Sequence, residues 1–189
     1  MVMSETSCLT NHFLIAMPAL ADPNFSHTVT YICEHNQKGA MGIVINRPSG
    51  LTLGEVLEHM DIEASPRVDL QMPVFEGGPV EPEHGFVVHA PVGAWDSSLK
   101  VTDEIAVTTS RDVLSAIAHG EGPKRHLFAL GYAGWGAGQL EEEIANNAWL
   151  SGPADPPTLF ETAPEQRWAA AAALLGVDVN LLSSQIGHA

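Results

Sequence analysis

The residues that could carry chemistry begin with a glycine-rich segment between a strand pattern and a helix pattern, Gly134-Trp135-Gly-Ala-Gly138-Gln139-Leu-Glu141. A strand, glycines and a helix in this order are typical of a phosphate-binding loop, because glycine lets backbone N–H groups approach an anion. Here three consecutive glutamates, the first of them Glu141, occupy the start of the helix. They complement the positive end of the helix dipole and repel a phosphate. The Gly-x-Gly-x-x-Gly register also fails at Gln139, so the segment argues against nucleotide binding.

Two interpretations of this segment stay open. In the first, it is a tight strand-to-helix turn, in which Gly134 and its neighbouring glycines allow close packing and the glutamates are helix-start charges. In the second, Trp135 lies in a surface pocket and stacks on a neutral or cationic ligand, which the nearby acids favour. Gly134, Trp135, Gln139 and Glu141 are therefore candidate binding residues.

Cysteine chemistry is a weaker possibility. Cys33 and His35 are two positions apart in a strand pattern, which places them on one face with their Cα atoms about 6.5 Å apart. A thiolate–imidazole contact is geometrically possible there. Glu34 and the negative charge of the chain would raise the pKa of a cysteine, which favours Cys33 as a small buried hydrophobic residue. Cys33 and His35 are retained as weak candidates.

The histidines do not predict a metal site. The chain has 9 histidines, but it contains no His-Glu-x-x-His motif and no Cys-x-x-Cys pair. His84 and His89 are five positions apart, which in a continuous strand places them on opposite faces. We expect neither a metal nor a cofactor.

Two further turns contain candidate residues. Asn46-Arg47-Pro48 ends a strand pattern, and Gly77-Gly78-Pro79 separates two others. Glycine and proline have a sufficient structural reason in turns. Arg47 either pairs with a carboxylate inside the protein or presents its guanidinium group to an anionic group of a partner. Asn46, Arg47, Gly77 and Gly78 complete the set of candidates.

The elements that must position these residues follow from hydrophobic periodicity. Strands are predicted at 12–17, 28–34, 42–46, 73–76, 85–90, 105–108, 126–132 and 158–161. Helices are predicted at 53–60, 110–120, 138–149 and 165–175, the first opened by a capping box at Thr52 and Glu55. Strands that come in clusters with short connections favour antiparallel pairing. The sequence predicts an α+β fold with a mixed, largely antiparallel sheet and flanking helices, in a single domain over 1–189.

Composition limits the possible partners. The chain of 189 residues has 8 Lys+Arg against 23 Asp+Glu, a formal net charge of −15. A field of this sign repels nucleic acids and anionic membrane surfaces. The apolar run Phe13-Leu-Ile-Ala-Met17, followed by Ala19 and Ala21, resembles a signal-peptide core, but no Lys or Arg precedes it. It is better interpreted as a first buried strand, and no apolar run approaches the length of about 20 residues that spans a membrane. We expect a cytoplasmic protein.

Taken in order along the chain, the pattern resembles the AlgH (YqgE-like) family of small bacterial proteins. The matching segments are Phe13-Leu-Ile-Ala-Met-Pro18, Asp22-Pro-Asn-Phe25, His35 with Gly39-Ala-Met-Gly-Ile-Val-Ile-Asn46-Arg47-Pro48, Gly77-Gly-Pro-Val80, Gly131-Tyr-Ala-Gly-Trp135-Gly-Ala-Gly-Gln-Leu-Glu141, Trp149 and Leu174-Leu-Gly176-Val-Asp. The resemblance implies an α+β arrangement of coiled, branching sheets with flanking helices. It also implies a transcriptional-regulator label, which some members carry through the genetics of exopolysaccharide (alginate) production. It supplies no catalytic residues.

Three functions follow as hypotheses. The first is a non-catalytic cytoplasmic regulatory or binding protein that acts through a protein partner or a small ligand at a surface built from the turns 46–48, 77–80 and 134–141. The second is a small-molecule enzyme at the same surface, with Glu141 or His35 as acid or base and Arg47 as anchor. The third is a DNA-binding regulator, which the net charge and the lack of a basic recognition helix disfavour. A pocket with a few polar groups would favour a ligand or an enzyme, and a flat apolar patch a protein partner. A monomer is the default.

Overall fold

The computed structural model describes residues 8–178 except 19, 21 and 24. The strands are β1 His12–Ala16, β2 Val29–Asn36, β3 Gly39–Val44, β4 Pro48–Thr52, β5 Pro73–Glu76, β6 Val80–Ala90, β7 Ser98–Lys100, β8 Ala106–Thr108, β9 Arg125–Gly136 and β10 Trp149–Pro153. The helices are α1 Leu53–His59, α2 Arg111–Ala118, α3 Gln139–Ala145, α4 Pro156–Phe160 and α5 Arg167–Ala173, with a 3-10 turn at Pro164–Gln166. Ala19 and Ala21 of the signal-like run and Asn24 of the family motif lie outside the described residues.

The contacts of the chain divide it into two compact units. Unit 1 contains the described residues up to Asn46 and from Ala133 onward, and unit 2 is Arg47–Tyr132. In unit 1 the strands lie in the order β10-β1-β2-β3-β9, and every pair is antiparallel. Consecutive side chains are buried from Phe13 to Ala16 in β1 and from Val29 to Cys33 in β2, as expected for strands covered on both faces.

Unit 2 contains the remaining pairs. Strands β9, β6, β8 and β7 are antiparallel neighbours, β5 is parallel to β9, and β4 is antiparallel to β5. The helices α1 and α2 pack against this sheet through an apolar core that includes Leu57, Val74, Val113 and Phe128. The α+β class with a mixed, largely antiparallel sheet and flanking helices is confirmed. None of the described helices has the length and apolar character needed to cross a membrane.

Several predicted elements need correction. The segment 158–161 was predicted as a strand, but residues 158–160 belong to α4 and Glu161 is its C-cap. The helix forms here because Asp155 accepts hydrogen bonds from the backbone N–H and hydroxyl of Thr158 and prolines occupy the first turn. Pro48 begins β4 instead of ending a strand segment, since the first residue of a strand can lack an N–H. The predicted helix 138–149 stops at Ala145, and β10 follows it.

A β-bulge interrupts β2 beside Cys33. Ile32 pairs with Gly42 and Glu34 with Met41, so two positions along β2 advance the partner strand by only one. The bulge breaks the regular alternation on which the predicted shared face of Cys33 and His35 depended.

One of the cations of the chain, Arg167, is part of the interior of unit 1. Arg167 in α5 is only 5% exposed. Its Nε donates to the Thr162 carbonyl at 2.9 Å, and its Nη1 donates to the Ile45 carbonyl. Burial lowers the pKa of Arg167 to about 10, so the group remains charged at neutral pH. These two hydrogen bonds connect Thr162, in the segment before α5, to Ile45, the residue that follows β3.

Candidate functional site

The turn within the glycine-rich segment is shorter than the sequence predicted. Strand β9 continues through Gly134 and Trp135, which pair with Met41 and Ala40 of β3. Only residues 137 and 138 form the turn, and Gly138 takes the positive φ of 76° that it requires. Gly134 is an exposed strand residue and is not among the positive-φ glycines. Close packing in a turn therefore does not explain why glycine occupies position 134.

Trp135 is buried and held by a carboxylate that sequence reasoning missed. Its indole Nε1 donates to Glu143 Oε1 at 3.1 Å, and the Nε1 of Trp149 donates to the same oxygen at 2.9 Å. Gln139 Nε2 donates to Glu143 Oε2 at 2.9 Å, and Gln139 Oε1 accepts from the Gly136 N–H. The spacing of four residues between Gln139 and Glu143 on a helix was the available signal.

These side chains border a cavity of about 240 Å³ in unit 1. We call it the aromatic–acidic cavity; its lining residues are Leu20, Asp22, Phe25, Gly134, Trp135, Gln139, Glu143, Ala148 and Trp149. Gly134, Trp135 and Gln139, three residues predicted from the sequence, therefore border one cavity.

His35 and Glu141, proposed separately as an acid or base, are in direct contact. His35 Nε2 lies 3.0 Å from Glu141 Oε1, and His35 Nδ1 accepts the Leu9 N–H at 2.9 Å. Because Nδ1 accepts, the neutral ring carries its proton on Nε2 and donates it to Glu141. Both ring nitrogens are thus engaged within the protein. The arrangement supports a structural pair that attaches α3 to β2, and it leaves no ring nitrogen directed at a substrate.

Replacing Glu141 is therefore expected to affect stability. The His35 side chain is 2% exposed and that of Glu141 31% exposed, so Glu141→Ala removes the acceptor of a buried N–H. We expect a loss of about 1 kcal/mol in the free energy of unfolding, since water can reach part of the site. Glu142→Ala, at the exposed neighbouring position, serves as the control and should leave stability unchanged. Denaturant unfolding followed by circular dichroism measures the stability of both variants. Equal stability would mean that the contact between Glu141 and His35 does not stabilise the fold.

The cysteines show no reactive arrangement. Cys33 is 1% exposed, and burial raises the pKa of its thiol. Its Sγ donates to the Tyr31 carbonyl at 3.6 Å. Cys8 is exposed, and its Sγ contacts the Thr10 hydroxyl and the His35 carbonyl, not the His35 ring.

The other predicted residues are divided between the units. Asn46, in unit 1, uses its side chain internally: Oδ1 accepts the Val29 N–H at 2.9 Å and Nδ2 donates to the His27 carbonyl at 3.0 Å. Arg47, Gly77 and Gly78 belong to unit 2. Gly77 is buried, and its N–H donates to the Leu130 carbonyl at 2.7 Å. That the three turns form one surface stays a prediction.

A second cavity lies in unit 2 and was not predicted. It has a volume of about 640 Å³. We call it the apolar pocket; its lining residues are Leu51, Glu55, Val56, His59, Met60, Glu83, Gly85, Val87, Thr108, Thr109, Ser110, Arg111, Leu114, Phe128 and Leu130. Val87, Leu114 and Phe128 are buried, while Glu55, His59, Glu83 and Arg111 are exposed. The pocket therefore combines an apolar interior with a rim of charged and polar groups.

A hydrogen-bonded chain begins at this pocket and runs into the sheet. His89 is fully buried; its Nδ1 donates to the Pro91 carbonyl at 2.9 Å, so its Nε2 accepts the Thr108 hydroxyl at 2.7 Å. The Ser98 hydroxyl lies 2.6 Å from Thr108 Oγ1. Because Thr108 is itself fully buried, we assign the chain a structural role, which is to satisfy the His89 imidazole.

The buried His89 and the half-buried His126 predict a pH-dependent stability. Burial lowers the pKa of both His89 and His126, its partner on the adjacent strand. Below the unfolded pKa of about 6.5, the unfolded chain takes up protons that the folded protein does not, so stability falls as the pH falls. We expect a loss of at most about 1.4 kcal/mol per pH unit for each histidine between pH 7 and 5. Urea unfolding at several pH values measures this slope.

Two phenylalanine variants test the origin of the pH slope. His126→Phe should reduce the slope, because it removes one of the two imidazoles, and the unpartnered Nε2 of His126 has no hydrogen bond to lose. His84→Phe, at an exposed position, is the control and should keep the slope. An unchanged slope in His126→Phe would mean that His126 does not contribute to it.

Within the residues that the structure describes, no group of three or more His, Cys, Asp or Glu side chains could hold a metal ion. The expectation of no metal and no cofactor therefore stays a prediction for the whole chain.

The fold and the cavities define a small α+β protein with a cavity in each of its two units. The chain belongs to the AlgH-like family (DUF179), whose model matches residues 13–180. One family model thus covers both units, and the resemblance noted from the sequence is confirmed.

Individual relatives match over their full length. A UPF0301 protein of Thioalkalivibrio sulfidiphilus is 63% identical over 187 residues, covering 99% of this chain and 100% of that protein. The UPF0301 protein AlgH of Pseudomonas aeruginosa is 55% identical over 190 residues and covers 100% of both chains.

Two solved structures share the fold. The solution structure of AlgH from Pseudomonas aeruginosa matches with a TM-score of 0.79 at 55% identity, covering 100% of both chains. The crystal structure of a Corynebacterium diphtheriae protein matches with a TM-score of 0.76 at 20% identity, covering 96% of this chain and 94% of that chain, and supports the fold alone.

Proposed function

We propose that the protein is a non-catalytic binding protein of the bacterial cytoplasm and that the apolar pocket of unit 2 is its ligand site. The single observation that carries the proposal is the pocket itself, a cavity of about 640 Å³ with a buried apolar interior. Sites for small molecules are concave, have volumes of about 300–1,000 Å³ and carry a few polar groups that orient the ligand. A protein partner would be expected at a flat apolar patch, whereas this site is a cavity.

The lining indicates the chemistry of the ligand. Val87, Leu114 and Phe128 offer apolar surface, and Thr109 adds a residue with a hydroxyl group to the lining. The rim holds the carboxylates of Glu55 and Glu83, the His59 imidazole and the Arg111 guanidinium group. We infer a small molecule with an apolar body and a polar end, which the rim groups contact.

A regulatory role belongs to the same proposal. Binding of the ligand would be the signal, passed on to a protein partner, and the link to exopolysaccharide production implied by the family resemblance would operate through it. Direct DNA binding is a less favourable route, because a net charge of −15 opposes phosphate contacts. An enzyme based on His35 and Glu141 is also less favourable, since both ring nitrogens of His35 are occupied.

The proposal is tested with the probe 1-anilinonaphthalene-8-sulfonate, which has an apolar body and a polar end. We expect saturable fluorescence enhancement with the folded protein. Val56 is a half-buried residue of α1 that lines the pocket. Val56→Trp should fill the pocket and weaken binding at least about tenfold, the effect of roughly 1.4 kcal/mol.

The matched control is Val92→Trp, a half-buried valine of unit 2 outside the pocket lining. It should bind the probe as the unmodified protein does, with both variants checked for folding by circular dichroism. Unchanged binding to Val56→Trp would contradict the assignment. A protein captured from lysate by the unmodified chain and by Val92→Trp, but not by Val56→Trp, would identify the pocket as a docking site for a partner side chain.

A further inference from the structure

We propose that Arg111 selects the ligand of the apolar pocket and that this ligand is a carboxylic acid with an apolar chain. The inference rests on the proposed function, because it concerns the same site, and it identifies the polar end of the ligand. Three observations support it: the position of Arg111, the contact that fixes its guanidinium group, and the weaker restraint of the carboxylates in the same lining.

Arg111 and Met60 border the pocket together and are joined by a hydrogen bond. Both residues line the cavity, and Arg111 Nη2 donates to the Met60 carbonyl at 2.8 Å. This bond connects the first residue of α2 to the C-cap of α1. Arg111 is exposed, while Val87 and Phe128 of the same lining are buried. A fixed positive charge therefore lies at the rim of an apolar interior.

The guanidinium group of Arg111 keeps donors for a ligand. It has five N–H donors, and the bond to Met60 uses one of them. Arg111 forms no ion pair among the residues that the structure describes. A carboxylate accepts two parallel N–H bonds from a guanidinium group, which makes it a specific partner for arginine. An apolar chain on that carboxylate would extend into the cavity of about 640 Å³.

The carboxylates of the lining are weaker anchors for a cationic ligand. Glu55 Oε1 accepts the Thr52 hydroxyl at 3.2 Å, at the start of α1. Glu83 lies in an exposed bulge of β6, and no hydrogen bond or ion pair within the described residues fixes its side chain. Ordering a free side chain on binding has an entropic cost, which is smaller for the restrained Arg111. The two glutamates also repel a group with two negative charges, which favours a carboxylate over a phosphate monoester.

The test is a series of compounds that share a six-carbon chain and differ in the polar end, titrated near neutral pH and followed by the methyl NMR signals of Val87 and Leu114. The compounds are hexanoate, hexyl phosphate, 1-hexanol and hexylammonium. We expect hexanoate to bind most tightly, about fivefold more tightly than 1-hexanol, which is the upper range for an ion pair at an exposed position. Absence of saturable shifts with all four compounds would contradict the proposed function itself. Saturable binding in which hexanoate is not the tightest ligand would leave that function in place and overturn this inference alone.

Two variants of equal charge change complete the test, with folding checked by circular dichroism. Arg111→Gln should bind hexanoate about fivefold less tightly and 1-hexanol unchanged, because the alcohol reports on the apolar interior. Arg67→Gln, at an exposed position of unit 2 outside the pocket lining, should bind both compounds as the unmodified protein does. Unchanged hexanoate binding in Arg111→Gln, or an equal loss of hexanoate and 1-hexanol binding, would overturn the role of Arg111. An equal loss of hexanoate binding in Arg67→Gln would assign the effect to net charge and would also overturn it.

Discussion

Gly131→Ala is expected to lower the free energy of unfolding by about 3 kcal/mol, because a side chain at this position meets both backbone strain and a backbone atom. Gly131 has a φ of 78°, which is the left-handed region that favours glycine. A Cβ atom there would lie 2.4 Å from the Gly78 carbonyl oxygen and 3.1 Å from Pro82 Cα. For a chain of this length the loss corresponds to a fall of about 10 °C in Tm.

Gly134→Ala is the matched control, three positions further along β9. Gly134 is exposed within the strand and is not among the positive-φ glycines, so its Tm should stay within about 2 °C of the unmodified protein. Differential scanning calorimetry measures both variants. A loss at Gly134 equal to that at Gly131 would mean that strain is not the cause.

Glu143→Leu is expected to produce the second large loss, about 3 kcal/mol, because two buried indole N–H groups lose their common acceptor. Trp135 is 6% exposed and Trp149 3% exposed, so water cannot readily replace the carboxylate. Glu143→Gln should recover most of the stability, since an amide oxygen can still accept. Denaturant unfolding followed by circular dichroism measures the difference.

The control for this series is Glu142→Leu. Glu142 is the exposed neighbour of Glu143 in α3, and its replacement makes the same change in net charge. We expect its stability to lie within about 0.5 kcal/mol of the unmodified protein. If Glu142→Leu and Glu143→Leu were equally destabilised, the indole hydrogen bonds would not explain the effect.

Periodicity and capping predicted the parts of the fold that depend on local sequence. The alternation in 28–34 predicted β2, and Thr52 does cap α1, accepting the Glu55 N–H at 3.3 Å. Short elements without a clear period were missed, such as β7 and β10, because three to five residues carry little pattern. The strand predicted at 158–161 was wrong for another reason. The apolar content of the segment favoured a strand, while the Asp155 cap and two prolines favoured a helix.

The sequence predicted candidate-site residues only where those residues lie close together along the chain. Trp135 and Gln139 were found because a glycine-rich segment draws attention to them, and Glu143 lies one turn of helix beyond Gln139. The contact between His35 and Glu141 joins residues 106 positions apart, so no spacing rule could reveal it. The apolar pocket combines residues from α1, β6, α2 and β9, and each looks like an ordinary core or surface position in the sequence.

Intermolecular NOEs test whether the apolar pocket is the ligand site. The measurement is a ¹³C-filtered NOE spectrum of the protein with bound 1-anilinonaphthalene-8-sulfonate. We expect NOEs from the naphthalene protons to the methyl groups of Val87, Leu114 and Leu130, which line the pocket. NOEs confined to methyl groups outside the pocket, such as those of Val92 or of Ile144 in unit 1, would contradict it.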